Sequence, residues 1–442
     1  MLFTAASLAD GRTRDVRVTD GEITAVAESL DADTGETVID AAGRHLLPGA
    51  VDVHVHFREP GFSHKETWAT GSRAAAAGGV TTVVDQPNTT PPTTTGAAFD
   101  EKAGLARESL VDYGVNGGVT ADWDPESLFD RPVFALGEVF LADSTGEMGI
   151  ETELFEGALA RASEAGVPVT VHAEDATQFE SAALDEAGDG VGRAAPVDRW
   201  SRYRPAAAEV AAVETALASA ATADSQVHVA HTSTPEAVDA VAAADRAADD
   251  RRVTCEVTPH HLLLSRDDGE RLGTYGRMNP PLRSESRREA LYERVRDGTV
   301  DVIATDHAPH TTTEKEATLA EAPSGVPGVE TMLPLLLGEV TADRLSLERV
   351  RDLVAANPAE IFGLPRKGTV APGTDADLVL VDLDATEPVR GDRRHTDCGW
   401  TPFEGRTAVF PELTLVRGSV VYDGRDGETF GDAVGRNVRA AD

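Results

Sequence analysis

The sequence predicts an α/β protein that combines a TIM-like (β/α)8 barrel with a small β-sandwich formed by both ends of the chain. From residue 50 onward, apolar strand-like runs alternate with alanine-rich helical segments, a pattern typical of parallel βα units. Eight such runs are present, and eight strands are the number that closes a barrel. Before residue 50 and after residue 366, short strands and turns predominate instead.

The predicted barrel elements alternate along the chain. The eight strands are predicted at residues 51–56, 79–85, 111–116, 133–140, 167–172, 226–231, 253–258 and 300–305. Helices are predicted between them, for example at residues 63–77, 151–165, 205–222, 235–249 and 284–297. In such barrels the chemistry takes place at the carboxyl ends of the strands, so reactive residues are expected just where each strand ends.

Both ends of the chain contain hairpin signals. Residues 15–19 and 22–26 flank the turn Asp20-Gly21, and residues 413–422 form a second hairpin pattern around Gly418. A further strand is expected at residues 378–382. We therefore predict three segments: residues 1–49 and 366–442 as the two parts of the sandwich, and residues 50–365 as the catalytic barrel.

The composition excludes two classes of partner and suggests an environment. The formal net charge is −36, with 76 acidic and 40 basic residues, and such a surface repels nucleic acid and anionic membranes. Only four residues are lysines, at positions 65, 102, 315 and 367. An acidic excess with scarce lysine indicates a halophilic protein, because concentrated salt screens the charge repulsion. A merely acidic enzyme is the alternative.

Cysteine content and hydropathy suggest a cytoplasmic location. The two cysteines, Cys255 and Cys398, make no disulfide framework, which favours a reducing compartment. The first residues lack the basic and apolar regions of a signal peptide. No apolar run approaches the roughly 20 residues that a membrane span requires.

The first predicted barrel strand carries the strongest chemical signal. Its period-two alternation places Asp52, His54 and His56 on one face, and two imidazoles spaced in this way can bind one metal ion. Arg58 follows two residues later, and its guanidinium suits recognition of a carboxylate. We interpret this strand end as part of a metallohydrolase site.

Four other predicted strands also end in candidate ligands: Glu138, His172, His231 and Asp306. A single strand-end histidine is more often a core or rim residue, and a buried glutamate can be half of a salt bridge. The joint pattern is more specific, because charged groups are costly to bury without partners. Four imidazoles and two carboxylates suit zinc, and they suffice for two ions.

Other histidines receive supporting roles. By alternation His228 faces away from His231, so we interpret it as structural. His260 and His261 follow the seventh strand and are candidates for orienting metal-bound groups.

This ligand set predicts hydrolysis, or the reverse condensation, of an amide-like C–N bond. Two adjacent metal ions lower the pKa of a bridging water toward neutrality and produce a metal-activated hydroxide. Asp306, near the bridge, would act as general acid/base by passing the proton to the leaving nitrogen.

Several segments together resemble the class I type dihydroorotases of the amidohydrolase superfamily. The resemblance extends from about residue 46 to residue 405 and rests on residues 54–61, 85–89, 171–175, 230–233, 256–261, 278–283, 305–310 and 401–405. It implies a TIM-like barrel with a β-sandwich from both termini. It also implies the reversible cyclisation of N-carbamoyl-L-aspartate to L-dihydroorotate, with loss of water, in de novo pyrimidine (UMP) biosynthesis.

The resemblance also implies roles for individual residues. His54 and His56 would hold one Zn²⁺, His172 and His231 the other, and Asp306 would be both ligand and general acid/base. The residues implied in binding substrate are His56, Arg58, Asn88, Asn279, His310, Ser324 and Gly325.

Two positions depart from the family pattern. Glu138 stands where many members have a carboxylated lysine and others an aspartate as the bridge between metals. A glutamate can bridge two ions with its two oxygens. Ser324 stands where an aromatic residue is common.

Three alternative functions differ in the residues that they require. A hydantoinase or an allantoinase acts on a related cyclic ureide that lacks the ring carboxylate, and so has no need of Arg58. A catalytically inactive scaffold is expected to lose metal ligands, whereas the candidate ligands are all present. In the favoured interpretation the only partner is the small-molecule substrate, and a homodimer is left open.

Overall fold

The structure is a computed structural model that describes residues 1–144, 148–185, 190–247 and 253–440. Its first five strands precede the barrel: β1 (Leu2–Ser7), β2 (Thr13–Thr19), β3 (Glu22–Ala27), β4 (Val38–Asp40) and β5 (His45–Pro48). The barrel strands are β6 (Ala50–Val55), β7 (Val80–Asp85), β8 (Asp112–Val115), β9 (Leu136–Phe140), β10 (Val169–His172), β11 (Val227–Val229), β12 (Val253–Val257) and β13 (Val302–Ile303). The last strands are β14 (Leu378–Val381), β15 (Glu387–Pro388), β16 (Thr407–Ala408), β17 (Leu413–Val416), β18 (Ser419–Asp423) and β19 (Thr429–Phe430).

The α-helices lie mainly between the barrel strands. They are α1 (Trp68–Ala77), α2 (Gly96–Leu105), α3 (Pro125–Phe129), α4 (Thr152–Ala165), α5 (Asp198–Tyr203), α6 (Ala206–Ala223), α7 (Pro235–Ala247), α8 (Pro259–Leu263), α9 (Gly269–Leu272), α10 (Glu285–Arg296), α11 (Thr312–Lys315), α12 (Met332–Thr341), α13 (Leu347–Arg351) and α14 (Asn357–Ile361). A π-helical turn spans Asp352–Ala356. Within the described ranges no helix is long and apolar enough to cross a membrane.

The eight central strands close into a parallel barrel. Strands β6 to β8 pair in order, as do β9 to β13. Two parallel bridges join the two sheets, Gly117 with Leu136 on one side and Val55 with His307 on the other. Strands of a closed parallel barrel are buried on both faces, and every residue of β6 is buried accordingly. The predicted (β/α)8 barrel is confirmed.

Strands from both ends of the chain form the second part of the fold. Their sheet has the order β19-β18-β17-β14-β5-β1-β2-β3, with β4 beside β1. The register of β14 against β5 places Leu378 opposite Pro48 and Leu380 opposite Leu46. Its core contains Phe3, Leu378 and Leu413, so neither end of the chain forms this core alone. This is the β-sandwich expected from the sequence.

The predicted helix boundaries differ from the structure mainly at one point. The helix predicted from residue 63 begins at Trp68, because the Thr67 hydroxyl accepts from the Thr70 N–H and caps the first turn. The remaining barrel helices begin or end within one or two residues of prediction. Residues 248–249 of the helix predicted at 235–249 lie outside the described ranges.

None of the four lysines is exposed. Lys102 and Lys315 are fully buried, Lys367 is 9% exposed, and Lys65 is half-buried. The exposed charge is therefore carried by carboxylates and arginines, which agrees with the predicted halophilic character.

Lys102 ties helix α2 to the end of β7. Its Nζ donates to Asp85 Oδ2 at 2.6 Å and to the Gln86 carbonyl at 2.5 Å. The other oxygen, Asp85 Oδ1, accepts from the Phe57 N–H at 2.6 Å. The pair therefore fixes the chain where it leaves β6, immediately before Arg58.

We expect Lys102→Met to lower the free energy of unfolding by about 3–5 kcal/mol, because it leaves the buried Asp85 carboxylate without its charge partner. Denaturant unfolding measures the change. Arg131→Met, which removes an exposed ion pair with Asp100, is the control and should cost at most about 1 kcal/mol. Equal losses in the two variants would contradict the structural role of Lys102.

Candidate active site

Six buried side chains from five barrel strands meet at the carboxyl end of the barrel. Each lies at, or within three residues of, the end of its strand, in agreement with the expected location of chemistry in this fold. They are His54 on β6, His56 just after it, Glu138 on β9, His172 at the end of β10, His231 after β11 and Asp306 after β13.

The first group of ligand atoms surrounds Asp306. His56 Nε2 is 3.0 Å from Asp306 Oδ1, and His54 Nε2 is 3.6 Å from the same oxygen. His54 Nε2 also lies 3.4 Å from Glu138 Oε2. These four groups point toward one small volume, and the set His54, His56 and Asp306 has the spacing of a metal site.

The second group surrounds the other oxygen of Glu138. Oε1 is 2.9 Å from His172 Nδ1 and 2.5 Å from His231 Nε2, and the two nitrogens are 2.9 Å apart. Oε2 of the same carboxylate faces His54. The carboxylate therefore lies between the two histidine pairs with one oxygen toward each.

The residues fit a pair of metal ions. His54 Nε2 is buried and has no hydrogen-bond partner among the residues that the structure describes, which is the condition expected of an atom placed to coordinate a cation. Imidazole nitrogens and carboxylate oxygens are the donors that zinc prefers.

The electrostatics of the cluster match this interpretation. Burial by itself would lower the pKa of His54, but the charges of Glu256 and Glu138 raise it well above its usual value. Burial of Glu138 is likewise outweighed by the charges of His231 and His54, so its pKa is well below normal. The cluster thus attracts positive charge, as protons or as cations, and cation binding would release protons.

Two buried glutamates orient the imidazoles. Glu256 Oε1 accepts from His54 Nδ1 at 2.6 Å and from the His231 N–H at 3.1 Å. Glu174 Oε2 lies 3.0 Å from His172 Nε2 and accepts from Arg204 at 2.6 Å. In each case the carboxylate engages one ring nitrogen and leaves the other directed at the cluster.

The supporting histidines have different surroundings. His228 Nε2 is 3.1 Å from Glu256 Oε2, and Nδ1 is 2.8 Å from Thr254 Oγ1, so it holds the orienting carboxylate. His261 bonds Thr258 Oγ1 and the Pro280 carbonyl, each at 2.9 Å. Neither partner is a candidate metal ligand, and the expectation that His261 orients metal-bound groups remains a prediction.

Three site residues have left-handed backbone conformations. The φ angles are 67° at Arg58, 33° at His231 and 45° at Asp306. Such conformations are costly for residues with side chains and concentrate at functional sites. Here each occurs just after a barrel strand, where the chain turns its side chain toward the cluster or, for Arg58, toward the opposite wall of the cavity.

Arg58 forms the opposite wall. It is 4% exposed, donates to the Pro309 carbonyl at 3.2 Å and lies 3.1 Å from His310 Nε2. His310 Nδ1 faces Lys65 Nζ at 3.2 Å, so this nitrogen accepts, and Nε2 is free to donate to the Ser324 carbonyl at 2.8 Å. Burial and the nearby Arg58 charge keep the pKa of His310 well below normal, so its ring is neutral.

A cavity joins the metal cluster to this wall. Asn88 lines this cavity, and its Oδ1 accepts a hydrogen bond from His56 Nδ1 at 2.7 Å. Its lining residues are His56, Arg58, Asn88, Glu138, Phe140, Ser144, His231, Asn279, Asp306, Ala308, Ser324 and Gly325. His172, His54 and His310 adjoin it, so the structure brings together every site residue singled out in the sequence.

Sequence reasoning assigned no role to several residues found here. Phe140, Ser144 and Ala308 line the cavity, while Glu174 and Glu256 orient the imidazoles. One signal was available for the two glutamates, since each is an acidic residue in or beside an apolar strand run. No comparable signal distinguishes Ser144.

Comparison with known proteins places the chain in a class. The amidohydrolase family model matches residues 139–421, and the chain belongs to the amidohydrolase family. A dihydroorotase from Halobacterium salinarum is 60% identical, over 98% of each chain. A dihydroorotase from Methanosarcina acetivorans is 46% identical, over 93% of this chain and 89% of the relative.

Solved structures show the same architecture at lower identity. An L-hydantoinase (dihydropyrimidinase) from Arthrobacter aurescens aligns with a TM-score of 0.91 and 30% identity over 98% of each chain. A dihydropyrimidinase from Brevibacillus agri aligns with a TM-score of 0.89 and 28% identity, over 100% of this chain and 98% of the other.

We expect Glu256→Gln to weaken metal affinity by roughly 10- to 100-fold, because loss of the carboxylate frees the rings of His54 and His228. Titration of the metal-free protein against a competing chelator measures the affinity. Glu153→Gln, an exposed position on α4, is the matched control and should bind as the wild type does. Unchanged affinity in Glu256→Gln would contradict the orienting role.

Proposed function

We propose that the chain catalyses the reversible cyclisation of N-carbamoyl-L-aspartate to L-dihydroorotate, the dihydroorotase reaction of pyrimidine synthesis. Its relatives at 60% and 46% identity are named dihydroorotase. As a member of the amidohydrolase family it is a metal-dependent cyclic amidohydrolase. The remaining question is which cyclic substrate the site selects.

One observation carries the choice of substrate. Arg58 is buried beside the metal cluster and forms no ion pair with any acidic side chain in the described ranges. Burial lowers its pKa to about 10, so it stays charged at neutral pH. A buried charge without a partner is costly, and a substrate carboxylate would supply the missing counter-charge in bidentate geometry.

The neutral His310 ring and Asn88 complete the pocket in which Arg58 would bind the substrate carboxylate. His310 adds no charge of its own. Asn88 is held by His56 at the metal side of the cavity. A substrate with its carboxylate on Arg58 would thus present its ring to the cluster. Hydantoin and allantoin carry no ring carboxylate and would leave Arg58 unpaired.

The chain's own residues account for orientation and proton transfer. When bound, the metal pair would supply Lewis acidity and a water of lowered pKa. Asp306 Oδ1 contacts His56, and Oδ2, for which the described residues show no hydrogen bond, is the oxygen that we propose takes a proton. Its pKa is lowered to about 2, since contacts with His56 and His54 outweigh its burial, so it enters the reaction as a carboxylate base. In hydrolysis it would accept the proton of water and donate it to the leaving nitrogen.

The finer details of the assignment are also proposals. We infer two Zn²⁺ per chain, with Glu138 as the bridge, from the separate directions of its two oxygens. We retain the division into residues 1–49, 50–365 and 366–442, which is supported by the shared core of the terminal strands. The cytoplasmic location and a homodimer remain predictions from the sequence.

We expect the zinc-loaded protein to hydrolyse L-dihydroorotate, and Arg58→Ala to raise KM at least about thirtyfold, since it removes a buried charge contact with the substrate. Steady-state kinetics on dihydroorotate, hydantoin and allantoin give the comparison. Arg131→Ala, which alters an exposed guanidinium, is the control. Turnover of hydantoin or allantoin with none of dihydroorotate would refute the assignment.

We expect Asp306→Asn to lower kcat by at least about 100-fold, because the amide cannot accept the proton of the attacking water. Metal content, measured on the same samples, should stay mostly intact, since five other ligands remain. Asp384→Asn, at an exposed position, controls for loss of a carboxylate. A near-normal rate in Asp306→Asn would show that another group moves the proton.

A further inference from the structure

The orientation of the Asn279 amide is fixed by a tryptophan outside the cavity lining. Trp200 Nε1 lies 2.9 Å from Asn279 Oδ1 and 3.1 Å from the Met278 carbonyl. An indole N–H is only a donor. The atom of the Asn279 side chain that faces Trp200 Nε1 must therefore be the oxygen and not the nitrogen. This contact decides between the two possible orientations of the amide.

The remaining contacts of Asn279 agree with this orientation. The Ser324 hydroxyl lies 3.3 Å from the same Oδ1 and donates to it, while Asn279 Nδ2 donates to Ser144 Oγ at 3.0 Å. The oxygen is thus occupied by two donors. The nitrogen carries two N–H groups, and Ser144 is its acceptor within the described residues. Since Asn279 lines the cavity, this part of the wall offers a donor.

Trp200 is held firmly enough to impose this orientation. It is 6% exposed and packs with Val197 and Leu319 in a small core. The Arg277 guanidinium stacks on its ring at 3.8 Å from the centroid. The Arg277 carbonyl accepts from the Gly325 N–H at 2.9 Å, so the same packing supports the neighbouring cavity wall.

We propose that Trp200 is a positioning residue that makes Asn279 a hydrogen-bond donor to the ureide carbonyl oxygen of the substrate. This inference rests on the proposed function. Dihydroorotate has three oxygen-bearing groups: the carboxylate, the carbonyl that is hydrolysed and the carbonyl between the two nitrogens. With the carboxylate on Arg58 and the hydrolysed carbonyl at the metal ligands, the third group remains for the Asn279 wall. A fixed N–H donor there favours a substrate carbonyl oxygen, which can accept the hydrogen bond. It disfavours a ring N–H, which is itself a donor.

Paired tryptophan variants test the role of the indole N–H. Trp200→Phe keeps an aromatic ring against Arg277 but removes the donor, and should raise KM for dihydroorotate about 3- to 10-fold, the loss of one hydrogen bond. The value of kcat should stay within about twofold. Trp123→Phe makes the same change at a tryptophan that packs edge-on against Phe129, and should leave both constants unchanged.

A double-mutant cycle separates positioning from general packing. Asn279→Ala should raise KM about tenfold, and adding Trp200→Phe should raise it little further, because Trp200 then has no amide to orient. Asn279→Asp, which places an oxygen where the N–H points and leaves Trp200 intact, should raise KM more than Asn279→Ala does.

Three results would overturn the inference. They are unchanged KM in Trp200→Phe, fully additive effects in the cycle, and wild-type binding by Asn279→Asp. Any of these, with wild-type protein active on dihydroorotate, leaves the proposed function standing. A wild-type protein inactive on dihydroorotate would instead refute both the function and the inference.

Discussion

The rest of the site depends on one buried carboxylate with its two oxygens turned to different histidine pairs. Glu138 contacts His172 and His231 through Oε1 and faces His54 through Oε2. Burying a charge is costly unless it is paired, and here the partners come from strands distant in sequence. Only closure of the barrel brings these partners together, since the strands that carry them are separated by tens of residues. A glutamate has the reach to serve both pairs while its backbone stays within strand β9.

Around Glu138 the structure places the imidazoles and the Arg58 guanidinium on different walls of the cavity. On one side, imidazoles held by Glu256 and Glu174 form the proposed metal-binding wall. On the other side, Arg58 lies beside a neutral His310. The C-terminal segment supports this second wall, because Trp400 Nε1 donates to the His310 carbonyl at 2.8 Å. The segment that builds the sandwich therefore also fixes part of the substrate pocket.

The positions of the lysines show how the whole molecule distributes its positive charge. Lysines occur only in buried or half-buried positions, and the three most buried have defined acceptors: Lys102 on Asp85, Lys367 on Asp112 and Asp377, and Lys315 on three backbone carbonyls. Burial keeps the pKa of Lys315 well below normal. The exposed surface is left to carboxylates and arginines, consistent with a relative from Halobacterium salinarum.

Local patterns in the sequence were sufficient to predict the barrel and the sandwich and to single out the candidate ligand residues. Period-two alternation placed His54 and His56 on one face, and turn signals marked the terminal hairpins. Tertiary structure alone decided which nitrogen of each imidazole faces the metal site, since that depends on Glu256 and Glu174 approaching from other strands. It also decided that Arg58 lacks an acidic partner in the described part of the chain and that Trp200 fixes the Asn279 amide. These are relations between residues remote in the chain, and no local pattern encodes a distance across a barrel.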